Sequence, residues 1–279
     1  MLLLQQKNIS VSILRLDNIH PIISGNKIFK LKYYLEDAIK QSKPIITYGG
    51  PFSNHLAATA AACKKAHIPC TGMVRGEHSS LSHTLQYCVK KGMTLKYICR
   101  DEYRDKAAKD QSTIDFPQII IPEGGYGKKG VKGSALIPEL YDPQKYSHVC
   151  CPVGTATTLA GIISSAPSHQ QVIGFSALKN LLDIPERLLF LLDKNPTNYM
   201  IKEYHFGGYA KWNSALIDFM NKFYALNKIS TDFVYTGKMM YGIWDMIKTD
   251  QFAPFSKILA IHTGGLQGNN SLPAGTLNF

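Results

Sequence analysis

Short apolar runs recur along this chain, and most of them end in glycine. They are PIITYGG (44–50), CTGMVRG (70–76), TLKYICR (94–100), QIIIPEGG (118–125), HVCCPVG (148–154), QVIGFSAL (171–178) and KILAIHTGG (257–265). A strand that is apolar throughout, rather than at alternate positions, has to bury both faces. The stretches between them, 27–41, 54–66, 80–91, 155–165, 212–226 and 237–249, read as helices. Apolar strands alternating with helices predict an α/β protein with parallel sheet. Such sheets bind ligands beyond the carboxyl ends of their strands, where these glycines stand.

Composition narrows the class. No apolar run reaches the roughly 18 residues a membrane span requires, and MLLLQQ at the start is too short for a signal-peptide core. A soluble, cytoplasmic protein is expected. The net charge is +11, but the lysines are scattered and no run of five like charges occurs. A solvated basic surface, with part of the excess lining a pocket for phosphate and carboxylate, fits better than a nucleic-acid interface. Cysteines stand at 63, 70, 88, 99, 150 and 151, without a C-x-x-C pair or zinc spacing. Six buried free thiols and no metal site are expected.

Several stretches carry candidate chemistry. In SGNKIFKL, Asn26 suits an N-cap and Ile28, Leu31, Leu35, Ala38 and Ile39 follow at helical spacing. Lys27 then falls in the first turn, where the positive end of the helix dipole lowers its pKa. A partly neutral lysine is what a Schiff-base nucleophile requires. In ITYGGPFSNHLAATAAACKKA, Ser53, Asn54 and His55 offer a hydroxyl, an amide and an imidazole at a strand end, ahead of an alanine-rich helix. CPVGTATTLAG runs from a strand through Gly154 into a helix start rich in threonine. Free N–H groups and hydroxyls there make a phosphate cradle. GYGKKG (125–130) fits G-x-G-x-x-G, but no acidic residue closes a second strand about 20 positions on, as dinucleotide binding needs. Tyr235-Thr236-Gly237 precedes a helix, and His262-Thr263-Gly264-Gly265 ends a strand.

Taken in order, these pieces resemble the 1-aminocyclopropane-1-carboxylate deaminase and D-cysteine desulfhydrase family of fold-type-II pyridoxal-phosphate enzymes. The family's Gly-Asn-Lys-x-x-Lys-Leu matches Gly25 to Leu31, and its Ser-Asn-His/Gln matches Ser53 to His55. Its phosphate loop matches Gly154 to Thr158. Asp-Pro-Val-Tyr-x-Gly-Lys matches Asp232 to Lys238, and His-x-Gly-Gly matches His262 to Gly265. EGGYGKKGVKG also resembles a family segment, which accounts for the dinucleotide-like glycines.

The resemblance implies a tryptophan synthase beta-like fold of two three-layer α/β domains with parallel sheets. A larger coenzyme domain of 1–35 and 134–279 would enclose a smaller inserted domain of 36–133. It implies pyridoxal 5'-phosphate as cofactor, a small amino acid as substrate, a homodimer, and no nucleic-acid or membrane partner. Lys27 would form the Schiff base and later move protons, with Tyr235 as another candidate base. Asn54 would contact the coenzyme's 3-hydroxyl and Ser53 the substrate carboxylate. His55, Tyr209 and Tyr235 would approach the substrate. Gly154, Thr155, Ala156, Thr157 and Thr158 would hold the phosphate. Thr236 would face the pyridine nitrogen side, with Thr263 also at the cofactor.

The deaminase branch resembles Tyr-Glu-Gly-Lys and His-Leu-Gly-Gly, whereas the desulfhydrase branch prefers hydroxyl residues at both variable sites. Here they are Thr236 and Thr263. A carboxylate beside the pyridine nitrogen would keep it protonated and strengthen the electron sink, whereas a hydroxyl leaves it nearer neutral. A weaker sink suits expulsion of a β-thiolate better than opening of a cyclopropane. Lyase, deaminase or hydrolase chemistry is therefore expected, with D-cysteine going to pyruvate, ammonia and sulfide. The alternatives are deamination of 1-aminocyclopropane-1-carboxylate to 2-oxobutyrate, or a coenzyme-binding relative acting on another amino acid or on none. Departures from the family are a short segment before Gly25, which puts an edge strand in question, Ala156 in place of a loop glycine, and Phe233 in place of proline.

Overall fold

The protein is described from a computed structural model covering residues 2–76, 80–109 and 117–279. In chain order its first half comprises α1 (Leu2–Gln6), β1 (Ser10–Arg15), α2 (Asn26–Gln41), β2 (Ile45–Gly49), α3 (Asn54–Ala66), β3 (Cys70–Arg75), α4 (His83–Lys90), β4 (Thr94–Ile98), α5 (Arg100–Lys109) and β5 (Ile119–Ile121). Then follow α6 (Lys128–Ser134), β6 (His148–Val153), α7 (Thr157–Ser165), β7 (Gln171–Ser176), α8 (Ile184–Leu192), β8 (Tyr199–Glu203), α9 (Ser214–Asn227), α10 (Thr236–Lys248) and β9 (Lys257–His262).

The strands form two sheets in the order β1-β9-β6-β7-β8 and β4-β3-β2-β5. All their pairings are parallel. Both faces of each sheet are covered, and alternate residues of a strand belong to different cores. Val149, Cys151 and Val153 pack with Leu159, Ile162 and Leu188 on one face of the larger sheet. Cys150, Ile173 and Phe175 pack with Met239, Ile243 and Met246 on the other. In the smaller sheet Ile45, Val74 and Ile121 face the alanines of α3, while Tyr48 and Ile98 face Tyr103. Two three-layer α/β domains result, as the uninterrupted apolar strands require.

The N-terminal segment supplies an edge strand, β1, paired to β9 from Ser10–Lys257 to Arg15–His262. The half-buried β8 closes the other edge. The thiols differ from expectation at one position: five are buried, but Cys99 is exposed just past β4. Pro152 lies within β6, where a missing N–H would break a ladder. The ladder from β6 to β9 ends at Cys150, so the strands diverge ahead of Pro152 and leave a gap at their carboxyl ends.

Helix α2 joins the two halves. Leu31, Tyr34 and Ala38 pack into the core of the smaller sheet, and Phe29 packs against that of the larger. Its start is docked on the end of β9, where Asn26 N donates to Thr263 O at 3.2 Å. Gly25 adopts φ +64°, and a Cβ there would lie 1.8 Å from Thr263 O. Only glycine meets both demands. Gly25, rather than Asn26, is therefore the N-cap residue, and the Asn26 side chain is left to bond elsewhere.

Candidate active site

The carboxyl ends of both sheets open onto one cavity of about 1070 Å³. Its wall is built from the turns after β2, β5, β6 and β9 and from the start of α2. In each sheet the chain reverses its strand order beside this opening, between β2 and β5 and between β6 and β9. Ligands of open α/β sheets bind at such reversals.

Lys27 lines the cavity, and its Nζ donates to Asn26 Oδ1 at 2.9 Å. Its pKa is drawn down to about 8, as expected, but the chief cause is burial, with Asp232 acting in the opposite direction. Lys30, one turn on, is 5% exposed and shares the cavity. Its Nζ donates to Gly124 O at 3.0 Å and to Thr155 Oγ1 at 3.4 Å. Burial, then the neighbouring Lys27, pushes the Lys30 pKa well below the ordinary value. Lys32 is instead a surface lysine paired with Glu36 at 2.6 Å.

Gly154, Thr155, Ala156, Thr157 and Thr158 all line the same cavity. Thr155 Oγ1 and Thr157 Oγ1 are 3.0 Å apart. Ala156 caps α7 with φ +64° and offers no side-chain acceptor to the first N–H groups of that helix. Those donors, two hydroxyls and the Lys30 Nζ suit a dianionic phosphate. Thr158 Oγ1 accepts from Asn26 Nδ2 at 2.8 Å, tying this loop to the helix that carries Lys27.

Ser53 caps α3 and accepts from Leu56 N at 3.3 Å. Asn54 Nδ2 donates to Gly265 O at 3.2 Å, while its Oδ1 is buried without a partner. His55 is 2% exposed, and its Nε2 is 2.7 Å from Thr47 Oγ1. The Thr47 hydroxyl donates its one proton to Ile121 O, so Nε2 carries the imidazole proton. Nδ1 then presents an unpartnered lone pair. Burial, Lys27 and Lys30 all push the His55 pKa down, so this ring stays neutral.

Tyr235 and Tyr209 line the cavity together, their rings 6.2 Å apart edge to face. Burial, then Tyr209, pushes the Tyr235 phenol well above its ordinary pKa. A phenol so raised holds its proton, which favours donation over abstraction at this position. Thr263 also lines the cavity. Thr236 does not. It is wholly buried, donating to Asp232 Oδ1 at 2.6 Å and accepting from Asp232 N at 2.8 Å. The carboxylate of Asp232 also accepts from Val234 N, Tyr235 N and Thr236 N, and so fixes the start of α10. The resemblance placed Thr236 on the pyridine nitrogen side of the cofactor, but here its buried hydroxyl is committed to Asp232.

Lys30, Glu123, Arg75 and Tyr103 also line the cavity and were not singled out from the sequence. The signal for Lys30 was available: it lies three positions after Lys27, on the same helical face. Glu123 opens the EGGYGKKGVKG segment already noted, whereas Arg75 and Tyr103 come from separate elements with no motif to mark them. Among the described residues, no group of three or more His, Cys, Asp or Glu could hold a metal ion, and no helix is long and apolar enough to cross a membrane.

No family model matches the sequence. Relatives do. A Pyrococcus horikoshii protein provisionally named 1-aminocyclopropane-1-carboxylate deaminase is 29% identical over 88% of this chain and 81% of its own length. The D-cysteine desulfhydrase of Salmonella choleraesuis is 27% identical over 89% of this chain and 85% of its own. Among solved structures, an ACC deaminase homologue superposes with a TM-score of 0.80 at 25% identity, covering 96% of this chain and 88% of that one. None of these names is a hydrolase's, and that expected class is set aside.

Proposed function

We propose that this chain, a homologue of the 1-aminocyclopropane-1-carboxylate deaminases and D-cysteine desulfhydrases, is a pyridoxal-phosphate-dependent lyase acting on a small amino acid with a β-leaving group. The observation that carries the reading is a buried amine of lowered pKa, Lys27, in the same cavity as a helix-start anion cradle backed by Lys30. The unpartnered Asn54 Oδ1 supports the fit of the cofactor, because a ring hydroxyl could satisfy it.

Bound there, pyridoxal phosphate would supply an imine-linked electron sink for the substrate's Cα. The chain's own residues do the rest. Thr155, Thr157, the free N–H groups of α7 and Lys30 would hold the phosphate, and Asn54 would orient the ring. Lys27 would be the nucleophile and then the base for the α-proton, since its neutral form is accessible near pH 8. The Ser53 hydroxyl, which only accepts in capping α3, keeps its proton for a substrate carboxylate. Tyr235 would donate a proton rather than take one, and Tyr209 and Tyr235 would shield the reacting atoms from water. Thr236 has no direct part in this reading; Thr263 is the hydroxyl we assign to the cofactor.

The net reaction proposed is D-cysteine and water to pyruvate, ammonia and hydrogen sulfide. The α-proton is removed, the Cβ–S bond breaks with its electrons leaving on sulfur, and the unsaturated amine hydrolyses. A second reading, 1-aminocyclopropane-1-carboxylate and water to 2-oxobutyrate and ammonia, is favoured by the names of the more similar relatives. Both are tested by offering cofactor-loaded protein D-cysteine, L-cysteine and 1-aminocyclopropane-1-carboxylate, and measuring pyruvate, sulfide and 2-oxobutyrate. Release from D-cysteine alone is expected, and Lys27→Ala should abolish it. Full turnover by Lys27→Ala would overturn the reading. We also propose a homodimer in the cytoplasm, with the division 36–133 against 1–35 and 134–279.

A further inference from the structure

The connection from β8 to α9 carries Tyr209, and its backbone is bent hard. Phe206, Gly207, Gly208 and Ala210 have φ of +49°, +92°, +121° and +54°. Residues with side chains avoid that region, so a turn of this kind persists only where its surroundings hold it. Helix α10 grips it. Lys238 is 1% exposed, and its Nζ donates to His205 O and to Gly208 O, each at 2.8 Å. Just upstream, Tyr204 OH donates to Asp245 Oδ2 at 2.8 Å.

A buried ammonium is costly, and an apolar side chain of similar length would fill this space at less cost. What the ammonium adds is its directed bonds, and both go to carbonyls of this one turn. The same helix start carries Tyr235, three residues before Lys238, and Tyr209 directly follows the gripped Gly208. The two tyrosines meet at the cavity as an edge-to-face pair.

We propose that Lys238 is a positioning residue: it clamps the 205–208 turn so that Tyr209 stands against Tyr235 at the cavity, and so sets how tightly the amino-acid substrate is held. The last clause rests on the reading of Tyr209 given above; the clamp itself does not.

The test uses Trp212, which is 41% exposed on the same connection. The chain has two tryptophans, and Trp244→Phe leaves Trp212 as the sole reporter. In that background Lys238→Met is expected to raise acrylamide quenching of Trp212 without cofactor or substrate present. In the cofactor-loaded enzyme it should raise KM roughly tenfold or more with a much smaller change in kcat, the mark of lost ground-state binding. Lys238→Arg, which keeps charge and donors, should recover part of both. If Lys238→Met alters neither quenching nor KM, or if Met and Arg variants alike fail to fold, the proposal is overturned. Should Trp212 respond while the parent protein turns over no amino acid, the clamp stands and the substrate reading fails.

Discussion

Asn26 Nδ2 donates to Thr158 Oγ1 at 2.8 Å, joining side chains 132 positions apart in sequence. The bond links the turn that holds Lys27 to the first turn of α7. Asn26 Oδ1 meanwhile accepts from Lys27 Nζ, so one amide orients both. Asn26→Ala leaves a buried hydroxyl short of a partner, at a cost of about 1–3 kcal/mol. A lower urea midpoint and faster loss of pyridoxal phosphate on dialysis are expected.

Lys27 makes the apo-protein's capture of cofactor pH-dependent. Only the neutral amine attacks an aldehyde, and its pKa is about 8. Stopped-flow absorbance should show the capture rate rising through pH 8 and levelling off above it. Folding shares the sign. A lysine whose native pKa lies below its unfolded value of 10.5 binds fewer protons when folded, so stability rises with pH between these values. Lys238, also drawn down to about 8, chiefly by burial, contributes the same way. Denaturation curves at successive pH values check this, and Lys27→Met should flatten the rise.

Ala156 holds φ +64° at the cap of α7. A residue with Cβ in this conformation costs about 1–2 kcal/mol relative to its right-handed form, and glycine avoids most of that. Ala156→Gly is expected to raise stability by about 0.5–1 kcal/mol after the entropy that glycine adds to the unfolded chain. Cofactor affinity should be unchanged or better, as read by titration of the visible absorbance.

Thr236 and Thr263 should separate in function despite their matching chemistry. Thr236→Val breaks two bonds to Asp232 and is expected to cost about 1–3 kcal/mol of stability without changing which amino acid is preferred. Thr263→Val, at the cavity, should alter turnover with little effect on the unfolding midpoint.

Much of this protein was settled by local sequence. Uninterrupted apolar strands such as HVCCPV and KILAIH demanded burial on both faces, which only parallel sheets under two helical layers provide. Ser53 ahead of an alanine-rich helix was readable because capping is a local property, whereas the cap of α2 fell on Gly25 rather than Asn26 because Thr263, far off in sequence, crowds that turn. The half-buried β8 and the edge strand β1 were not readable, since an edge strand is defined by its partner rather than by its own pattern. Tertiary structure alone decided the electrostatics and the direction of side chains. It lowered the pKa of Lys27 chiefly by burying it, when the sequence pointed to the helix dipole. It brought Lys30 to Thr155, and it turned Thr236 inward to Asp232. The physical reason is range: propensity acts over a few residues of chain, whereas desolvation and hydrogen bonding act through space between segments that folding brings together.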